Sequence, residues 1–224
     1  NSTFQPDFVW LKNRSQADSF RLIDAPRGVT KEISSDATAA ESTDANGLTS
    51  FDSDGFGLGT GAGGYNDDTE SFVAWQWLAG GGAGSSNEDG TINTITTTVN
   101  TTAGISIGTY TGTGVAATIG HGLGVVPKFI IVRDTSVEQT WDVYHVGNTD
   151  APETEYVHTD RNNATADGLP WNDTLPTTTV FSIGSSTVFR DTSVMVYYAF
   201  ADIEGFSKFS NYTGNGNASG PMVY

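Results

Sequence analysis

The chain has 224 residues, of which 37% are hydrophobic, so it can form one large β domain or two of about 100 residues each. Its net charge of −16, with only 10 Lys and Arg residues, argues against binding to nucleic acid or to an anionic membrane surface. Without cysteine the chain has no disulfides, thiolate metal sites or thiol nucleophiles, and no apolar run approaches the length of a membrane-spanning helix.

Four sequence blocks occur twice, in the same order, at offsets between 121 and 125 residues. Each block has the apolar pattern of a short strand, and no segment has the sustained periodicity of an amphipathic helix. Small differences between the offsets are what loop insertions between equivalent strands produce. The paired blocks are Gln5–Lys12 with Val126–Arg133, Phe20–Asp24 with Trp141–His145, Phe56–Gly59 with Phe181–Gly184, and Phe72–Trp77 with Met195–Phe200.

The duplication predicts an all-β fold of two tandem antiparallel β-sandwich modules. We expect the first module at residues 1–88, a linker or connecting strand at residues 89–104, and the second module at residues 105–206. Within these bounds, residues 79–90 have the glycine-rich composition of a flexible linker.

A shorter phrase marks where a module begins. Tyr110–Gly114 (Tyr-Thr-Gly-Thr-Gly) recurs as Tyr212–Gly216 (Tyr-Thr-Gly-Asn-Gly). By this comparison the first module lacks its opening strand, and residues 207–224 carry such a strand. That strand either opens a further module of a longer array or completes the first module of this chain, and the sequence leaves both possibilities open.

Two familiar motif spellings are not supported by their surroundings. Gly59–Gly64 has the glycine spacing of a dinucleotide-binding loop, but acidic residues and then a strand pattern follow it instead of a helix. Gly104–Gly108 has the spacing found around a hydrolase nucleophile, but Ser106 lies in an alternating strand pattern and no motif ties it to any of the three histidines. We therefore expect no enzymatic activity and no cofactor.

Four aspartates are weak candidates for a calcium site. Asp52, Asp54, Asp67 and Asp68 could hold the ion if the fold brings their loops together, although the ligand spacing of an EF-hand is absent. The simpler interpretation is that Asp52 and Asp54 belong to a turn.

Trp171, Asn172 and Asp173 are weak candidates for sugar binding. They lie in a loop flanked by prolines, and an exposed ring beside amide and carboxylate groups can stack on a sugar and bind its hydroxyls. The alternative, which we favour, is that Trp171 covers one end of a sandwich.

Several phrases resemble repeat modules of bacteriophage structural proteins, which are often long, tail-fibre-like proteins of marine phages. The resemblance covers nearly the whole chain and implies a virion surface protein with lectin-like or jelly-roll β-sandwich modules. It carries over no catalytic or ligand-binding residues. The phrases are Gln5–Arg14, Ser50–Phe56, Gly120–Val132 and Tyr212–Gly216.

From this resemblance we expect a protein on the exterior of the virion, in a tail fibre or tail tip, that attaches to the host surface, with a glycan as the expected ligand. Its expected partners are other virion proteins and further copies of itself, with a trimer favoured, and we expect neither nucleic-acid binding nor membrane insertion. The alternative is a capsid decoration or head-fibre protein. A tail-associated glycan-degrading enzyme is a third possibility.

Overall fold

The computed structural model describes residues 3–60, 63–185 and 191–222, and within these ranges the chain is all-β, as the sequence predicts. The described ranges contain no helix that could span a membrane. The strands are β1 (Phe8–Asn13), β2 (Arg21–Asp24), β3 (Lys31–Glu32), β4 (Ser42–Thr43), β5 (Leu48–Asp52), β6 (Gly55–Leu58), β7 (Phe72–Trp77), β8 (Thr94–Asn100), β9 (Ile105–Thr111), β10 (Ala117–Gly120), β11 (Phe129–Asp134), β12 (Asp142–His145), β13 (Glu155–Tyr156), β14 (Ala166–Asp167), β15 (Val180–Ile183) and β16 (Val194–Phe200).

Two three-stranded units have the same strand order and the same register. In the first module β1 lies between β2 and β7, and in the second module β11 lies between β12 and β16. Trp10 of β1 is opposite Leu22 of β2, and at the sequence offset of 121 residues Ile131 of β11 is opposite Val143 of β12. The pairings of β1 with β7 and of β11 with β16 correspond in the same way. The repeat seen in the sequence is therefore also a repeat of strand pairing.

The second module has strands for which the described part of the first module has no equivalent. Its sheet continues from β16 through β9 to β8, and β10 pairs with β15, whose first-module equivalent β6 pairs with β5 instead. In the first module β7 ends the sheet, and no strand among the described residues pairs with its outer edge. No described strand takes the position beside β7 that β9 occupies beside β16.

Alternating side chains of the two sheets form three cores. The first-module core lies on the face of β1 that carries Val9 and Leu11, and the second-module core lies on the face of β11 that carries Ile130 and Val132. The other faces of the two sheets pack against each other and form a shared core, so the modules are joined by much more than a linker. The shared core contains Phe8, Leu22, Ile33, Ala79, Ile105, Ile107, Ile131, Trp141, Val143, Val196 and Tyr198.

A buried ion pair of the first module forms hydrogen bonds with Tyr198 of the second module beside the shared core. Arg27 Nε lies 2.6 Å from Asp24 Oδ2, and the Tyr198 hydroxyl donates to the same carboxylate oxygen at 2.6 Å. Burial by itself would lower the pKa of Arg27, but the charges of Asp24 and Glu41 outweigh burial and raise it. A change that removes one partner would therefore leave an uncompensated charge in the interior.

Arg133 of β11 holds a loop of the first module. Its guanidinium donates to the carbonyl oxygens of Ser34 and Ala37, at 3.1 and 2.6 Å, and also to that of Ala39. The indole of Trp141 donates to Ser34 O at 2.7 Å. Polar contacts therefore fix the same packing of the two modules that the shared core favours.

Residues 79–85, within the segment expected to be a flexible linker, form a fixed strap. The Asp7 carboxylate accepts hydrogen bonds from three backbone amides of the strap. Ser85 exchanges two backbone hydrogen bonds with Thr97 of β8, so the strap covers the outer edge of that strand. Glycine in this segment permits close approach of the backbone, which composition alone does not distinguish from flexibility. The three donors to Asp7 are Ala79, Gly81 and Gly82.

The C-terminal segment, residues 207–222, contains no strand and is largely exposed. Phe209 stacks on Phe129 with ring centroids 5.6 Å apart and also contacts Phe200 at 5.8 Å. Tyr212, in contrast, is 67% exposed. The segment expected to carry an opening strand thus has no strand partner among the described residues of its own chain.

Candidate functional site

Four exposed or half-buried rings form an aromatic cluster on the first-module sheet. Trp10 lies on β1, Trp75 and Trp77 lie on β7, and Phe20 precedes β2, and together they line a depression of about 280 Å³. Trp10 meets Phe20 and Trp75 edge to face, with ring centroids 5.9 and 6.2 Å apart. Trp75 is 45% exposed, so the cluster presents a large aromatic surface to solvent.

The local sequence explains why these rings share one face. Side chains alternate along a strand, so Trp75 and Trp77 point the same way from β7, and Trp10 is opposite Trp75 in the register. The equivalent residues of the second module lie in or against the shared core, and the first module covers them. The aromatic cluster is the part of the first-module face that remains uncovered after the sheets pack. The second-module equivalents are Ile131, Trp141, Tyr198 and Phe200.

The chemistry of the cluster suits an apolar partner. The walls of the depression are almost entirely carbon, and Lys12 Nζ lies 5.6 Å from the centroid of Phe20. A sugar site needs several hydrogen-bonding groups beside its stacking ring, and these walls offer few. Exposed aromatic side chains are instead characteristic of the energetically important centre of protein interfaces.

The outer edge of β7, next to the cluster, has free backbone groups. Arg14 N donates to Ser71 O, and hydrogen-bonded and non-hydrogen-bonded pairs alternate along an antiparallel ladder. The N–H and C=O groups of Phe72, Ala74 and Gln76 therefore point away from β1. No strand among the described residues pairs with them, and we call this feature the open edge.

A larger depression, of about 680 Å³, lies at the turn Asp202–Lys208. A single segment lines it, and its Lys208 Nζ is paired with Asp202 Oδ2 at 2.6 Å. It lacks the convergence of several strands that defines the aromatic cluster.

Trp171, Asn172 and Asp173 do not form an exposed stacking site. Trp171 is 2% exposed, its ring meets Tyr144 edge to face at 5.9 Å, and its Nε1 donates to the Glu155 carbonyl at 3.2 Å. Asn172 and Asp173 form an exposed turn with φ of 51° and 46°. The indole covers the second-module core, as the packing interpretation predicts.

The four aspartates considered for calcium are not gathered as a ligand set. Asp67 accepts hydrogen bonds from the amides of Gly63 and Gly64, and Asp52 accepts one from the Ser50 hydroxyl. In the part of the chain that the structure describes, no three His, Asp or Glu side chains are placed to hold a metal ion.

Of the two motif spellings that resemble a nucleophile turn and a dinucleotide-binding loop, the structure describes the first in full and the second only in part. Ser106 is buried within β9, with its hydroxyl 3.3 Å from that of Tyr197. The glycine motif at residues 59–64 includes residues 61 and 62, which lie outside the described residues.

The sequence contains a signal for the aromatic cluster. Trp75 and Trp77 alternate within one aligned block and Trp10 lies in another. Once the register is known, these three rings are neighbours on one face. Which of the two equivalent faces stays exposed depends on how the modules pack, and no single block encodes that.

Comparison with known families gives one match over the entire sequence. Residues 1–224 match the family model described as DUF7483, a domain of unknown function. Comparisons with curated proteins and with solved structures found no match. Because the family model covers the chain from its first residue to its last, the chain belongs to the DUF7483 family.

Proposed function

We propose that this chain is a non-enzymatic structural module on the surface of a bacteriophage particle, of the tail-fibre or tail-tip kind. In this proposal its first module binds protein through the aromatic cluster and the open edge of β7. The phrases that resemble phage structural proteins support the setting. The duplicated all-β architecture supports a structural role.

One observation carries the protein-binding part of the proposal: the aromatic cluster and the open edge share β7. A contiguous exposed apolar patch marks an interaction site. A free strand edge accepts an extended segment through main-chain hydrogen bonds. Trp75 and Trp77 belong to the same strand whose outer N–H and C=O groups are free, so one partner strand can use both features at once.

Host attachment follows from assembly in this proposal. Copies held together in one particle would present identical loops many times over, and weak contacts with a host glycan then combine into firm binding. The net charge of −16 keeps such a surface soluble and limits non-specific adhesion.

Copy number in purified particles tests the setting. Particles of the phage that encodes the chain would be quantified by mass spectrometry against isotope-labelled peptides from both modules. We expect the small copy number of a tail component. Hundreds of copies per particle would point to a capsid decoration protein and refute the tail-fibre proposal, and absence from the particle would refute the virion setting altogether.

Incubation of the purified chain with host polysaccharide tests the non-enzymatic part. We expect no increase in reducing ends over a boiled control. A steady increase that depends on protein concentration would establish glycan cleavage and overturn this part of the proposal.

A further inference from the structure

We infer that the open edge of β7 is filled by the C-terminal segment of a second copy of this chain. The inference names the partner of the surface described under the proposed function, and so it rests on that function. It takes its evidence from the repeat, because the second module shows which strand fits the equivalent edge.

The second module provides the template. There β9 pairs antiparallel with β16 and places Tyr110 opposite Met195. Tyr212 begins the other copy of the phrase that starts at Tyr110, and it lies in an exposed segment without strand structure. Among the described residues, the outer edge of β7 therefore has no opening strand beside it, and the sequence of an opening strand at Tyr212 has no edge beside it.

Transferring the register of β9 and β16 gives a specific alignment. It places Phe209 opposite Trp75, so the phenyl ring would cover the aromatic cluster. It also places Tyr212 opposite Phe72, beside the first-module core, just as Tyr110 lies in the second-module core. Both rings of the segment thus fall on apolar surface that a single chain leaves at least partly exposed.

Side-chain sizes at the middle of this alignment are complementary. In the second module Tyr197 crosses over Gly108, and a Cβ on that glycine would lie 2.6 Å from the tyrosine ring. In the first module the residue equivalent to Tyr197 is Ala74, and the segment places Ser210 opposite it. Because β7 carries alanine where β16 carries tyrosine, the segment can carry a side chain at the position where β9 requires glycine.

A polar pair falls in the same register. The Gln76 side-chain oxygen is buried and has no hydrogen-bond partner among the described residues. The alignment places Lys208 opposite Gln76, and the ammonium group can donate to that oxygen. Lys208 is the one charged residue within residues 207–222, so the segment adds no negative charge to an already acidic chain.

The partner is a second copy because a single chain does not make this pairing. One chain contains both the edge and the segment, and in its structure Phe209 stacks on Phe129 instead. Asn211 donates to Gly147 O and holds the segment near β12. Joining another copy releases these contacts in exchange for a full strand, so association depends on protein concentration.

The contact is head to tail, because the edge and the segment are different surfaces. Such contacts close into a ring or continue as a filament. Either outcome suits a module that works in many copies.

Disulfide trapping between two singly substituted chains tests the pairing directly. In the proposed register Val73 and Asn211 form a non-hydrogen-bonded pair, in which side chains approach most closely. The chain has no cysteine of its own. Chains with Val73→Cys would be mixed with chains with Asn211→Cys, oxidised, and separated on a non-reducing gel.

We expect a covalent species of twice the chain mass that contains one chain of each kind. The matched control replaces Asn211→Cys with Asn217→Cys, an exposed position beyond the proposed strand, and should give no such species. A mixed dimer formed equally well by the control would overturn the register. A monomeric cross-link in one chain carrying both Val73→Cys and Asn211→Cys would overturn the second copy as partner.

Light scattering with the full chain provides a second measurement. We expect concentration-dependent association that Tyr212→Ala weakens by about tenfold or more, while Phe206→Ala, at an equally exposed ring outside the strand, leaves it unchanged. A chain that stays monomeric at every soluble concentration would overturn the inference. Such a result would not contradict the proposed location on the virion, because copy number in the particle tests that location separately.

Discussion

Replacement of Phe8 by alanine tests whether the two modules fold as one unit. Phe8 is 1% exposed, and its ring lies 5.0 Å from that of Trp77 and 4.7 Å from that of Tyr198 in the other module. Removing a buried phenyl ring costs about 3–5 kcal/mol in lost burial and residual cavity. For 224 residues the entropy of unfolding is about 0.5 kcal/mol/K. We therefore expect Phe8→Ala to lower the melting temperature by about 6–10 °C.

Differential scanning calorimetry is the appropriate assay, because it reports how many units unfold. We expect a single transition in both proteins, with an enthalpy near 160 kcal/mol, from about 0.7 kcal/mol per residue. Phe206→Ala, at an exposed ring, should leave the transition in place. Two separate transitions, of which Phe8→Ala moves only one, would show independent modules and refute the role assigned to the shared core.

Three further predictions concern buried groups and the strap. Burial, followed by the charge of Asp160, raises the pKa of Asp142 from 3.8 to about 7, so the folded chain loses stability as pH rises from about 4 to about 7. Asp142→Asn should then gain up to about 4 kcal/mol over the parent chain at pH 8 and little at pH 4, by urea denaturation, and an equal effect at both pH values would contradict this. Gly84→Ala should cost about 3 kcal/mol or more, because φ is +79° and the new Cβ would lie 1.9 Å from Thr97 O. Gly81→Ala, with φ +85° and open space, should cost only about 1–2 kcal/mol in thermal melts, and equal costs would argue against a tightly packed strap. Arg27→Met should destabilise the chain by about 3–5 kcal/mol by leaving the Asp24 carboxylate unpaired, and adding Asp24→Asn should recover part of that loss. Strict additivity of the two changes in urea denaturation would show that the groups do not interact.

The sequence predicted the strands better than it predicted their packing. Aligned blocks located β1, β7, β11 and β16 because each is a short apolar run flanked by turn residues. Face-to-face packing of the two sheets could not be predicted, because alternation shows that Phe8 and Trp10 share a face but not what covers that face.

The same limit explains the candidate site and the strap. Trp171 lies in a loop and Trp75 lies within β7, yet Trp171 is buried and Trp75 is exposed, since burial depends on residues far away in the chain. The strap was predicted to be flexible because it is rich in glycine. Its order comes from the Asp7 carboxylate, some seventy residues earlier in the chain, and from the backbone pairing of Ser85 with Thr97. Contacts of this kind leave no local pattern in the sequence.

The position of that carboxylate has a mechanical consequence. Asp7 immediately precedes β1 and binds the strap that immediately follows β7, so the chain enters and leaves the first-module sheet at the same end. Tension along the polypeptide would therefore act across the ladder and separate β1 from β7 one hydrogen bond at a time. The three hydrogen bonds from backbone amides to the Asp7 carboxylate lie at the end of the ladder where that separation must begin. Under such tension, the hydrogen bonds to this side chain would contribute to the force at which the first-module sheet starts to open, a value that single-molecule pulling would measure.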